Sequence, residues 1–192
     1  MAISFPKVYP ILDSSIIPAT GRAEFLRRLG GSLAEAGATL LEYRNKTGGD
    51  AELLADAAIL RAALPAGQVK LVLDDRADLV EKIGFDGVHV DADDLTPAEA
   101  RRLLGPDRII GTFGGGAELV PGVLETPANY FSIGVVFPTR TKHVTAPPIG
   151  MEGVRRLRKL AGPRPVLVAI AGALFRKPDP GAEFRKWIEL LG

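Results

Sequence analysis

No cysteine occurs anywhere in the chain, which removes disulfides, thiolate metal ligands and a cysteine nucleophile, and leaves a reducing cytoplasm as the plain expectation. Charge of one sign is lacking too. With 24 Lys plus Arg against 23 Asp plus Glu and a formal net charge of +1, no global field recommends nucleic acid or a membrane surface as partner, so any anion site must be local. The basic stretch from Arg155 to Leu160 has no aromatic residue interleaved and reads as a solvated helical face rather than a nucleic-acid patch. Long apolar runs are missing as well: none approaches the roughly 18 residues of a membrane-spanning helix. The opening MAISFPKVYPILD has no basic segment ahead of an apolar stretch and does not read as a signal peptide.

What is present fits one globular domain over residues 1–192, with 46% hydrophobic and 24% charged residues. Short runs rich in Val, Ile and Leu alternate with helical patterns. Strands are predicted at 7–13, 39–46, 69–75, 87–91, 108–113, 130–137 and 165–172, with helices at 23–37, 50–64, 77–84, 96–105 and 151–161 and a poorly defined helical stretch near 117–124. Thr96 followed by Pro97 marks a helix start. Such alternation implies parallel strands joined by crossover helices, buried on both faces. An open doubly wound sheet normally carries a G-x-G-x-x-G turn after its first strand, and ILDSSIIPATG has none. Polar residues instead gather at the C-terminal end of strand after strand, from Asp13 through Arg44, Lys46, Asp74, Asp75, Asp94 and Thr112 to Thr139 and Lys142. That distribution belongs to an α/β fold of the parallel (β/α) TIM-barrel type with its site at the top face. Seven strands fall one strand and about one helix short of the usual eight units. Two readings follow: a further segment near the C-terminus, or a degenerate barrel whose phosphate site, commonly built by the loops after strands seven and eight, is incomplete and whose open seam exposes backbone edges and offers a place for a second copy of the chain.

If the strand ends converge, Arg44, Lys46 and Lys142 supply cations, Thr139 and Thr141 supply hydroxyls, and Asp75 and Asp94 supply oxygen ligands. The carboxylates could simply pair with the cations. Two acids on different strands are also a way to hold Mg²⁺, which uses few protein carboxylates and completes its shell with water and phosphate oxygens. Arg grips phosphate bidentately and Lys acts as a point charge, a mixture suited to a diphosphate. His89, inside GVHV, reads as a satisfied core histidine.

The ordered set LEYRNK, LVLDDRADL, GFDGVHVDADDL, IIGTF, VVFPTRTKH and VAIAG, spanning residues 42 to 172, resembles the signature series of the thiamine-phosphate synthase family. The resemblance implies a (β/α) barrel, a transferase that joins hydroxymethylpyrimidine diphosphate to hydroxyethylthiazole phosphate and releases pyrophosphate with Mg²⁺. By position it implies that Arg44 and Lys46 meet the diphosphate and that Asp75 and Asp94 ligate the metal. Thr139, Thr141 and Lys142 would form a phosphate-handling loop, with Lys142 and Arg44 in catalytic roles, and Gly172 a backbone contact to the thiazole phosphate. Glu42 and Asp74 stand at substrate-contacting positions where the family usually has Gln and Asn, adding negative charge unless a cation or a proton compensates. Phe113 replaces a usual Ser. Against this reading stand a thiazole-phosphate tautomerase of the same superfamily, and a non-catalytic barrel that binds a thiamine precursor.

Overall fold

Strands and helices alternate along the chain as the pattern predicts, in a computed structural model that describes residues 4–64, 67–91, 95–138 and 147–191. The strands are β1 (Val8–Asp13), β2 (Leu40–Arg44), β3 (Lys70–Asp74), β4 (Gly87–Val90), β5 (Ile109–Gly115), β6 (Tyr130–Ile133) and β7 (Val166–Ile170). The helices are α1 (Arg22–Glu35), α2 (Asp50–Ala63), α3 (Val80–Ile83), α4 (Pro97–Leu104), α5 (Gly150–Ala161), α6 (Gly172–Phe175) and α7 (Pro180–Leu191). Helix α4 starts where Thr96 foretells: its hydroxyl accepts from the Glu99 backbone N–H while Glu99 accepts from the Thr96 N–H at 2.8 Å. This reciprocal cap typically contributes about 1 kcal/mol.

The strands lie in sequence order in one closed parallel barrel. The open seam expected from the count of seven is therefore corrected. Strand β7 pairs directly with β1, Val8 opposite Val168 and Pro10 opposite Ile170. Below the paired strands, Arg158 of α5 donates to the carbonyls of Lys7 at 2.9 Å and Val166 at 3.3 Å, tying both strands to one guanidinium. Helix α7 packs on β1 and on α1, covering the side of the barrel that an eighth helix would otherwise fill. Seven strands close the ladder, so no backbone edge is left unpaired at the junction and the edge argument for a second copy disappears.

Side chains alternate inward and outward along each strand. Outward Leu41, Leu71, Val88, Ile110 and Phe131 pack beneath the helices in one large apolar cluster. A second, smaller cluster fills the barrel interior, where Tyr9, Leu40, Val72, Ile109, Tyr130 and Leu167 interdigitate. Filling the lower interior with these side chains leaves the upper end of the barrel as the open one.

Two predicted boundaries shift. Strand β6, expected to run to Phe137, ends at Ile133 because Gly134 takes φ of +153°, a conformation open to glycine. The carbonyls of Val135 and Val136 then accept from Ile149 and Gly150, both at 2.9 Å, at the start of α5 rather than from a neighbouring strand. The helical stretch expected near 117–124 is a short 3-10 turn at Val123–Glu125, and β5 runs on through an irregularity between Phe113 and Gly115.

Candidate active site

The strand register places the polar residues before any side-chain argument is needed. Asp13 lies opposite Arg44 across β1 and β2. Asp74 lies opposite His89, His89 opposite Gly111, and Gly111 opposite Tyr130. These residues form one row around the inner wall. The row opens into a cavity of about 610 Å³ at the C-terminal ends of the strands, where the top-face argument expects a site.

Along β1 to β3 the row is a chain of ion pairs. Arg44 pairs with Asp13 through Nη1 and with Asp74 Oδ2 at 3.5 Å through Nε, and Lys46 pairs with Asp74 at 3.4 Å and with Asp75. Asp13 also accepts the Ser15 hydroxyl at 2.5 Å and the Ser15 N–H at 2.9 Å. Burial works to raise the Asp13 carboxyl, but the Ser15 hydrogen bonds and Arg44 outweigh it, and Asp13 stays below the usual carboxylate range. Asp74 goes the other way: burial lifts it against the pull of Lys46 and Arg44. Asp75 sits at φ of +63°, a region where Asp is tolerated better than most side chains. Its Oδ1 is buried and without a hydrogen-bond partner among the described residues.

Deeper in the barrel lies a cluster of buried polar groups. Glu42 is 1% exposed, and the Tyr9 hydroxyl donates to its Oε2 at 2.9 Å. Burial pushes the Glu42 carboxyl well above its ordinary value, the charge of Asp74 adds to that, and the Tyr9 hydrogen bond only partly opposes it. The acid form of Glu42 is thus favoured. Burial likewise raises the Tyr9 and Tyr130 phenols. His89 Nδ1 lies 3.1 Å from the Tyr130 hydroxyl and its Nε2 3.3 Å from Ser132 Oγ. That contact crosses β5 only because position 111 is glycine: a Cβ there would stand 2.2 Å from Tyr130 Cζ and 2.6 Å from His89 Nδ1.

The structure therefore brings Glu42, Arg44, Lys46, Asp74 and Asp75 together, and Gly172 lines the same cavity from the β7 side. Asp94, Thr139, Thr141 and Lys142 lie outside the described residues. His89, expected as core, is buried and hydrogen-bonded, yet it also faces the cavity. Ser132, Asp91, Trp187 and Arg176 line it too and went unmarked in the sequence reading. Ser132 and Asp91 were in principle legible, since each continues the inward-facing parity of its strand. Trp187 and Arg176 were not, because their place depends on how the chain folds back after β7. Among the described residues, no group of three or more His, Asp or Glu side chains could hold a metal unaided, and no helix is long and apolar enough to cross a membrane.

A closed parallel barrel with a row of cations and carboxylates beside a cavity at the C-terminal ends of its strands defines a (β/α)-barrel protein with a charged pocket at its mouth. The family model described as thiamine monophosphate synthase matches residues 8–176. The chain belongs to that family. It is 38% identical to the thiamine-phosphate synthase of Koribacter versatilis over 170 residues, which span 88% of this chain and 79% of that protein. It is 30% identical to the thiamine-phosphate synthase of Chlorobium phaeovibrioides over 92% of this chain and 90% of that one. Among solved structures, the thiamine phosphate pyrophosphorylase from Pyrococcus furiosus superposes with a TM-score of 0.76 over 96% of both chains at 24% identity, a likeness of fold.

Proposed function

We propose that this chain is a thiamine-phosphate synthase that joins hydroxymethylpyrimidine diphosphate to hydroxyethylthiazole phosphate and releases pyrophosphate with Mg²⁺. The observation that carries the reading is the run of Asp13, Arg44, Asp74, Lys46 and Asp75 along three adjacent strand ends beside one cavity. Family membership supports it. Cations held in place by carboxylates are already oriented when an anion arrives, so little reorganisation is needed as charge develops.

The extra carboxylates at positions 42 and 74 are compensated in the two ways that electrostatics allows. Burial favours the uncharged form of Glu42, and Asp74 is paired with Arg44 and Lys46. Neither then repels a diphosphate as a free carboxylate would. For the metal, the fit rests on Asp75, whose buried Oδ1 lacks a partner. An ion that takes one or two protein carboxylates and finishes its shell with water and phosphate suits such a donor, with Asp75 and Asp94 as the holders. When bound, it would neutralise charge growing on the departing pyrophosphate.

In the reaction the bond between the pyrimidine methylene carbon and the diphosphate oxygen breaks, pyrophosphate leaves with the bonding electrons, and the thiazole nitrogen lone pair forms the new C–N bond. Arg44, Lys46 and Lys142 hold the leaving anion, while Thr139 and Thr141 donate to phosphate oxygens. The thiazole nitrogen needs no general base. Incubating the purified protein with both substrates, with and without EDTA, tests the reading. Thiamine phosphate formed only when divalent metal is present is the expected result. Tautomerised thiazole without coupling, or saturable binding without turnover, would replace it with the other two readings.

A further inference from the structure

Among the described residues that line the cavity, Asp13, Asp74 and Asp91 stand beside the buried acid Glu42, and Arg44 and Arg176 are the cations. Arg44 is already shared between Asp13 and Asp74. Arg176 is different. It is exposed at the rim, just past α6, and among the described residues no ion pair or side-chain hydrogen bond engages it. Among the described residues that line the cavity, Arg176 is the exposed cation that no carboxylate engages, and it is open to a phosphate monoester.

Closure with seven strands decides where that charge stands. Because β7 pairs with β1 on the side opposite β2, the chain leaving β7 and the top of β2 flank β1 from either side, with strand axes about 10 Å apart at two strand spacings. The wall on the β7 side is apolar, formed by Ile170, Ala171 and Ala173. Phe137 and Trp187 stand beside it with ring centroids 5.7 Å apart at 55°, a surface suited to a flat heteroaromatic ring. The mouth thus has two cationic stations separated by an apolar, aromatic surface. A thiazole that reacts at its ring nitrogen and carries its phosphate at the end of a side chain needs a second anion station, apart from the one that holds the departing diphosphate.

We propose that Arg176 binds the phosphate monoester of the second, thiazole, substrate, and so sets the preference for the phosphorylated thiazole over its alcohol. The proposal rests on the synthase reading of the same cavity. A guanidinium presents paired N–H donors to phosphate oxygens, and beside an apolar wall that interaction is less screened than in open water.

The experiment compares wild type, Arg176→Ala and Arg176→Lys with the thiazole phosphate and with the unphosphorylated thiazole alcohol. Loss of one charge-assisted contact raises KM for the thiazole phosphate in Arg176→Ala by about 10- to 100-fold, with KM for the pyrimidine diphosphate unchanged within about twofold. Reaction of the alcohol is the same in wild type and variant, and Arg176→Lys recovers part of the loss. Equal losses with both thiazoles, or a rise in KM for the diphosphate alone, would overturn the assignment. Calorimetric titration of the thiazole phosphate into each protein separates the two layers of inference. A wild type that binds but does not turn over fails the synthase reading while leaving Arg176 to be judged by whether the variant loses affinity; equal affinity in both proteins removes Arg176 from the site.

Discussion

The substitution Glu42→Gln exchanges a buried acid for an amide of nearly the same shape that can still accept from the Tyr9 hydroxyl at the 2.9 Å position. Burial and Asp74 hold the native carboxyl well above its ordinary value of 4.5. Between 4.5 and that raised value the folded protein keeps a proton that the unfolded chain releases. The unfolded state then binds fewer protons, and stability falls as pH rises through the window, by at most about 1.4 kcal/mol per pH unit for one group. The amide has no such proton to keep, so that slope vanishes in the variant. For a domain of this size about 1 kcal/mol moves Tm by about 3 °C, so the variant should gain on wild type by up to about 4 °C per pH unit within the window. Paired thermal melts from about pH 5 to about pH 8 provide the assay. Asp74 titrates in both proteins and drops out of the difference to first order. A gap between the two curves that stays constant with pH would refute the claim that Glu42 is a protonated acid in the folded state.

Three other outcomes follow from the same geometry. Asp75→Ala should lower coupling activity by roughly 100-fold and raise the Mg²⁺ concentration needed for half-maximal rate; full activity at low Mg²⁺ would remove Asp75 from the metal site. Arg44→Met leaves Asp13 and Asp74 with one cation fewer between them, and should cost about 2 kcal/mol in urea unfolding at neutral pH, less than for a fully buried pair because Arg44 is partly exposed. An unchanged unfolding midpoint would show that the pairing contributes nothing to stability. Gly111→Ala drives a methyl into the space between His89 and Tyr130, and should destabilise by about 1 to 3 kcal/mol as an overpacked core; wild-type stability with both rings unmoved would contradict the close approach.

Much of the architecture was legible because parallel strands announce themselves: LLEYR, KLVLD and VLVAI are buried on both faces and read as apolar runs broken by polar tips. The tips at Arg44, Asp74 and Asp75 then pointed to one end of the barrel. Contacts set by register were harder to see. Nothing local in GVHV or IIGTF says that His89 will reach Tyr130 across an empty position, since that depends on Gly111 lying between them in the ladder. Closure was misjudged for a related reason: counting strands against eight assumes a fixed circumference, whereas the pairing of Val8 with Val168 is a long-range fact that no window of sequence contains. Arg176 follows a four-residue helix just past β7, and no local pattern in the sequence places it at the mouth.

The junction of β1 with β7 also governs the order in which the molecule can be made. Val8 waits for Val168, far along the chain, so on a polypeptide emerging from its N-terminal end the first strand must remain unmated on one side until nearly everything else exists. Contacts of such long sequence separation are slow to form, and an exposed strand flank is where a half-made barrel would associate with its neighbours. The ring is thus sealed last, and the backbone that seals it is the same stretch that carries the β7 wall of the mouth.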